Sequence, residues 1–206
     1  SFKKYIIWFW GLFFGGISLV VLLFLLASWG VLGEMPTFEE LENPETNLAT
    51  EVISTDGKTL GKYFKENRTP IKYEDLPENL INALVATEDE RFYQHSGIDA
   101  RGTLRAVVFL GSQGGASTIT QQLAKQLFTK IRSDNLAEAI TQKIKEWVIA
   151  VRLEEQYTKQ EIITMYLNKF DFIYGAVGIR SAARIYFDKE PKELNLEESA
   201  VLVAML

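Results

Sequence analysis

The sequence predicts a mainly α-helical protein with one membrane-spanning helix in front and a short β-hairpin between. Three observations carry this. After Lys3 and Lys4, the stretch Tyr5 to Gly33 carries no charge at all. From Tyr73 onward, apolar residues recur at helical spacing in one segment after another. Strand-like patterning is confined to "TEVISTDGKTLGKYF", where Asp56-Gly57 offers the favoured two-residue turn between Val52-Ile53 and Leu60, Tyr63 and Phe64.

About 20 apolar residues span a bilayer core, so the first stretch suffices. Trp8, Trp10 and Trp29 lie toward its two ends, where amphipathic rings favour the interface. A cleaved signal peptide is the alternative, but the run is long for one and no convincing small-residue cleavage site follows. Lys3 and Lys4 place the N-terminus in the cytoplasm and everything after Gly33 on the outer face. The expected layout is a stub at 1–4, the transmembrane helix at 5–33, an acidic, proline-punctuated linker with the hairpin at 34–72, and a helical domain at 73–206.

Within that domain, Asp75 and Glu78 have capping-box spacing before Leu80 to Val85. "STITQQLAKQLFTKI" has Ile119, Leu123, Leu127 and Ile131 on one face. A long helix is expected over Leu136 to Gln156, with Leu136, Ile140, Ile144, Trp147, Val148 and Val151 as its apolar stripe. Thr158 and Glu161 open a helix through Leu167, and two more follow, near Gly175 to Phe187 and from Leu196. The last residues, "LEESAVLVAML", stop in mid-helix, so a longer chain is expected.

Composition narrows function by exclusion. In 206 residues there is no cysteine, so disulfides and thiolate metal clusters are out. A net charge of −5 gives no basic footprint for nucleic acid. Three clusters remain. "ATEDERFYQHSGID" ends an apolar helix in Glu88, Asp89 and Glu90, although a helix C-terminus already carries partial negative charge. A solvated helix end would do this, and so would an active-site edge. A carboxylate against a partly apolar wall can work as base or acid near neutral pH, and Glu88 has Val85, Ala86 and Phe92 around it. His95, the only histidine, could be a ligand, a base or structural. "GGASTITQQLAKQ" sets small hydroxyls and a helix start after two glycines, which suits either an anion cradle with Lys125 nearby or a plain N-cap. Its spacing is not that of a Walker loop. Lys143 and Glu146 are neighbours at i, i+3, with Glu146 roughly 140° from the centre of the apolar stripe. An exposed ion pair would look the same.

These blocks resemble the five motifs of the peptidoglycan glycosyltransferases. "EDERFYQHSG" is similar to the first, Glu-Asp-x-x-Phe-x-x-His-x-Gly, "GASTITQQLAKQ" to the second and "QKIKEWVIAVRLE" to the third, Arg-Lys-x-x-Glu. "EIITMYLNKFDFIYGAVGIRSAARIYF" and "LNLEESAVLVAML" are similar to the fourth and fifth. Order and register match from about Asn79 onward, and the anchor resembles that of class A penicillin-binding proteins, whose transpeptidase domain would follow residue 206. The resemblance implies a lysozyme-like, two-lobed helical fold that polymerises lipid II, with release of undecaprenyl pyrophosphate.

On this likeness Glu88 is the catalytic carboxylate that deprotonates the acceptor's 4-hydroxyl, Glu146 the second acid, and Lys143 the positively charged residue near the donor's pyrophosphate. Ser117, Gln121 and Lys125 map onto the substrate-binding second motif. Asp89, Phe92, Thr118 and Arg132 complete the candidate substrate-binding set, with Asp89 expected to act by holding local structure. No dedicated metal cage is visible and no cofactor is required, though a divalent cation (magnesium or manganese) could bridge the substrate's phosphates. The expected partners are lipid II, the growing glycan strand and the membrane, which "LRAVVFLG", Leu104 to Gly111, could enter unless it is a core helix. Two positions depart from the pattern: Gln142 replaces an arginine, and Asp188 stands where Tyr-Phe-Gly has glycine. A glycan-cleaving enzyme of lysozyme-like fold is the first rival, but it has no need of phosphate-binding cations. A non-catalytic membrane scaffold is the second, favoured only by Gln142.

Overall fold

The computed structural model describes residues 2–31, 50–55, 59–63, 70–109, 115–128 and 135–206. Helix α1, Phe2–Ser28, has 27 residues and is long and apolar enough to cross a membrane. At 1.5 Å per residue it reaches about 40 Å, beyond a hydrocarbon core of about 30 Å. It begins before the uncharged run, taking Lys3 and Lys4 into its first turn. Strands β1, Thr50–Ile53, and β2, Thr59–Tyr63, pair antiparallel, Thr50 opposite Tyr63. The Asp56-Gly57 turn and the acidic linker lie outside the described residues.

The rest is helical: α2 Glu78–Glu88, α3 Ala100–Val108, α4 Ile119–Phe128, α5 Leu136–Gln156, α6 Lys159–Lys169, α7 Ile179–Phe187 and α8 Leu196–Val203. Local chemistry explains most boundaries. Thr158 and Glu161 form the expected capping box on α6. Asn195 and Glu198 form another on α8, and the Asn135 side chain caps α5. The box expected from Asp75 and Glu78 does not form. Asp75 is spent in a 3-10 turn, Tyr73–Asp75, and Pro77, extended at φ −71°, becomes the N-cap with no side chain to offer. Helix α7 starts at Ile179 rather than Gly175 because the chain first makes a tight left-handed turn. Ile173, Tyr174, Gly175 and Gly178 all have positive φ there. At Gly178 a Cβ would come within 2.8 Å of the Asn168 carbonyl oxygen. The helix ends at Asp188, left-handed at φ 54° and ψ 40°, a place that suits glycine best. The departure at Asp188 therefore changes a helix stop.

Leu80 and Leu84 of α2, Ile119 and Leu123 of α4, Leu153 of α5 and Ile162 of α6 are fully buried in one core. Each such side chain contributes about 1.5–3 kcal/mol by leaving water. Helix α4 packs on α5 and α6, and α2 packs on α8.

The apolar stripe expected on α5 faces away from this core. Ile140 is 52% exposed, Trp147 meets Phe24 of α1 with ring centroids 6.0 Å apart, and Arg152 donates to the Ser28 carbonyl of α1 at 3.2 Å. The core face is the opposite one, with Glu146, Ile149, Ala150 and Leu153 buried. The helix is covered on two sides, by α1 and by the core. Periodicity marks an apolar face without saying which neighbour covers it.

Candidate active site

The acids that end α2 are held by the next helices along the chain. Asp89 is buried. It accepts from His95 Nε2, at 3.0 Å to one oxygen and 3.1 Å to the other, and from the Ile119 N–H at 3.1 Å. It is thus an acid at the N-terminus of α4, where negative charge is favoured. The same contact corrects the anion-cradle expectation, since the protein's own carboxylate occupies that helix start. His95 is accordingly a structural partner, its side chain 7% exposed. Glu90 is exposed. Glu88, half-buried, accepts from Gln122 Nε2 at 2.7 Å, and Gln122 Oε1 accepts from the Tyr166 hydroxyl at 2.8 Å.

Gly97 joins the first two motifs. Its carbonyl accepts from Thr118 Oγ1 at 2.7 Å and Gln121 Nε2 at 3.2 Å. Its φ is +84°, and a Cβ there would lie 2.8 Å from the Ala150 backbone, so the position requires glycine. Phe92, expected among the substrate-binding residues, is corrected here, while Thr118 keeps a place on the smaller hollow. The Thr118 hydroxyl is buried and committed to Gly97 and the Gln121 N–H. Phe92 is fully buried, with Lys159 Nζ 4.2 Å over its ring. Lys159 also donates to the His95 carbonyl at 2.8 Å and to Glu154 at 2.7 Å, and Glu154 accepts from Thr120 at 2.6 Å. Phe92 supports the wall from behind, whereas Thr118 lines the smaller hollow with its hydroxyl committed to the protein.

On α5, Lys143 Nζ donates to Ser117 Oγ at 2.9 Å and to Glu146 Oε2 at 3.2 Å. Glu146 is buried and Lys143 is 42% exposed in its side chain, so this is no ordinary surface pair. Two hollows meet here. A smaller one of about 250 Å³ is lined by Glu88, Arg91, Asp99 and Arg105. A larger one of about 780 Å³ is lined by Gln121, Lys125, Gln142, Lys143 and Glu146. Ser117 lines both. Gln121 is almost wholly buried, and its Oε1 has no partner among the described residues. Arg132 lies outside the described residues. Among the described residues no three His, Cys, Asp or Glu side chains gather as a metal site.

Two groups on the Glu88 wall titrate abnormally. Burial would push the Asp99 carboxyl up. The Arg91 guanidinium and the N–H groups of Gly102 and Arg101 outweigh it and hold that carboxyl below the usual range. Burial raises the Tyr166 phenol well above its ordinary value, and the Glu88 charge adds to this. Tyr166 and the Arg91–Asp99 pair were missed from sequence. Tyr166 sits inside the fourth motif-like block but looks like one more apolar helix position.

A family model described as Transglycosylase matches residues 56–206. The chain is 37% identical over 179 residues to penicillin-binding protein 1A of Vibrio cholerae, an alignment covering 85% of this chain and 21% of that protein. It is 37% identical over 207 residues to penicillin-binding protein 1A of Neisseria lactamica, covering 98% and 25%. It is 39% identical over 163 residues to penicillin-binding protein 1F of Bacillus subtilis, covering 77% and 22%. The chain thus spans about a fifth to a quarter of the length of the curated relatives it matches.

Proposed function

The chain belongs to the transglycosylase family, and from that premise we propose that it polymerises lipid II into glycan strands from the outer face of the cytoplasmic membrane. The acceptor's 4-hydroxyl oxygen attacks C1 of the donor sugar. Glu88 takes the hydroxyl proton, the bond from C1 to the pyrophosphate oxygen breaks, and the configuration at C1 inverts. The leaving pyrophosphate needs no proton, only positive charge where negative charge develops. Lys143, Lys125 and Arg132 would supply it, and Glu146 would hold Lys143 toward Ser117. The observation that carries this reading is the arrangement about Ser117: a carboxylate wall on one side, and on the other a hollow lined by Lys125 and Lys143. The mainly helical body is consistent with the lysozyme-like fold the resemblance implies.

The remaining parts of the reading follow from the anchor. With Lys3 and Lys4 inside, the domain from residue 73 works at the outer surface, and the resemblance to class A penicillin-binding proteins implies a transpeptidase domain in the whole protein. Leu104 and Val108 of α3 are 64% and 63% exposed and Phe109 is exposed beside them, which suits insertion into the lipid from which the substrate arrives. The test is incubation of the purified chain in detergent or vesicles with labelled lipid II. Polymer should form together with free undecaprenyl pyrophosphate. Shortening of added glycan without use of lipid II would establish the lytic reading instead.

A further inference from the structure

The mechanism above leaves one buried polar chain unused. The Tyr166 ring and hydroxyl lie in the core, fully buried on α6. Among the described residues its one hydrogen-bond partner is the Gln122 Oε1 atom, at 2.8 Å, and the other end of that amide donates to Glu88 at 2.7 Å. A phenol can donate, an ionised carboxylate can only accept, and an amide has one end of each kind. The chain therefore has a single direction, from Tyr166 O–H through the amide to the carboxylate.

We propose that Tyr166 is a positioning residue for the glycosyl transfer, acting through Gln122 to hold Glu88 oriented and in its proton-accepting form. This rests on the reading of Glu88 as the base. If the amide turned over, Oε1 would face a carboxylate oxygen, an arrangement tolerated only when Glu88 carries a proton and cannot serve as a base. The Tyr166 hydroxyl prevents this, because turning over would leave the buried phenol without an acceptor. The raised phenol keeps the hydroxyl a donor at any working pH.

Other charges surround Glu88, and none replaces this contact. On its own segment, Asp89 is bonded to His95, Glu90 is exposed, and Arg91 is paired with Asp99. Arg105 comes from α3, and Lys125, Lys143 and Glu146 stand on the hollow beyond Ser117. Helix α8, packed on α2, buries Ser199, Leu202 and Val203, which do not titrate.

The experiment is a pH–rate profile of lipid II polymerisation for wild type, Tyr166→Phe, Gln122→Leu and the double variant, with Glu88→Gln as the control. Phenylalanine keeps the ring and removes the hydroxyl. Tyr166→Phe should lower kcat about 3- to 10-fold at neutral pH, the worth of one net hydrogen bond, with KM for lipid II unchanged. The acid limb of the profile should move to higher pH, since a carboxylate that loses a donor is protonated more easily. In the Gln122→Leu background, Tyr166→Phe should add nothing, because the connection is already cut. A wild-type pH profile for Tyr166→Phe, or an effect that persists in that background, overturns the proposal. An inactive Glu88→Gln beside a wild-type-like Tyr166→Phe removes only the connection. An active Glu88→Gln removes the base assignment, and the proposal with it.

Discussion

Glu88 and Glu146 line two hollows that share Ser117, and they are held by different chemistry. Glu88 accepts from a neutral amide that is itself fixed by a phenol. Glu146 accepts from the Lys143 ammonium, which also reaches Ser117. A neutral donor orients a carboxylate without cancelling its charge and leaves its second oxygen available for a proton. A cation at 3.2 Å makes the carboxylate a counter-ion, and the useful charge is then the lysine's own. On the function proposed above, this difference would give proton transfer to the α2 wall and charge stabilisation to the α5 wall. Substitutions on the two walls should therefore fail in different ways.

The largest effect belongs to Glu88→Gln. The amide can still accept from Gln122, so the fold should hold, but it cannot take a proton. Loss of a general base costs about 10²- to 10⁴-fold, and polymerisation should fall by that much with an unchanged melting temperature. Retention of more than about half the activity would place the base elsewhere. On the other wall, Lys143→Met should cost on the order of tenfold in turnover, since a charge-assisted hydrogen bond is worth about 1.5–3 kcal/mol. Its pH profile should keep its shape, because a cation at the leaving group takes no proton. If Lys143→Met polymerises lipid II as wild type does, the lysine serves Glu146 and Ser117 only.

The same division explains what could be read from sequence. The α5 and α6 boundaries and the Thr158 box were legible because propensity and caps act within one turn. The motif residues themselves were legible as a resemblance. What failed needed a distant partner. The acids at the end of α2 look misplaced in the sequence because the N-terminus that favours Asp89 belongs to α4, 30 positions along the chain. Phe92 looks like a contact residue in the sequence because motif membership does not separate a surface from its support. Glu146 was read as lying opposite the apolar face of α5, which is true, but that face covers α1 while Glu146 looks into the core and cleft.

A smaller effect concerns the support of the α2 wall. Asp99 is held low by Arg91 in the folded state, so its contribution to stability is present above the ordinary carboxylate value, near 4, and is lost as pH falls through the lower folded value. The stability gap between wild type and Asp99→Asn should be full at pH 6 and shrink below about pH 4. Denaturant unfolding at a series of pH values reads it. A gap that widens toward acid would show that Arg91 does not hold this carboxylate ionised.

The smallest effect should come from Gln142→Arg, because it adds to a wall that already has cations. Gln142 lines the larger hollow with Lys125 and Lys143, where the motif pattern has an arginine. Glutamine brings a neutral amide, and arginine brings a permanent charge on a forked donor. A divalent ion that bridges the substrate's phosphates would be another source of positive charge there. Such an ion and an arginine at 142 would stabilise the same developing anion, so each makes the other less needed. Gln142→Arg should therefore raise polymerisation a few-fold at low magnesium, roughly the worth of one surface-screened charge contact, and converge with wild type when magnesium saturates. Full magnesium titrations of both proteins make the comparison. Coincident curves would mean that residue 142 does not act on the leaving group, and that charge stabilisation on the α5 wall falls to Lys143 and Lys125 without it.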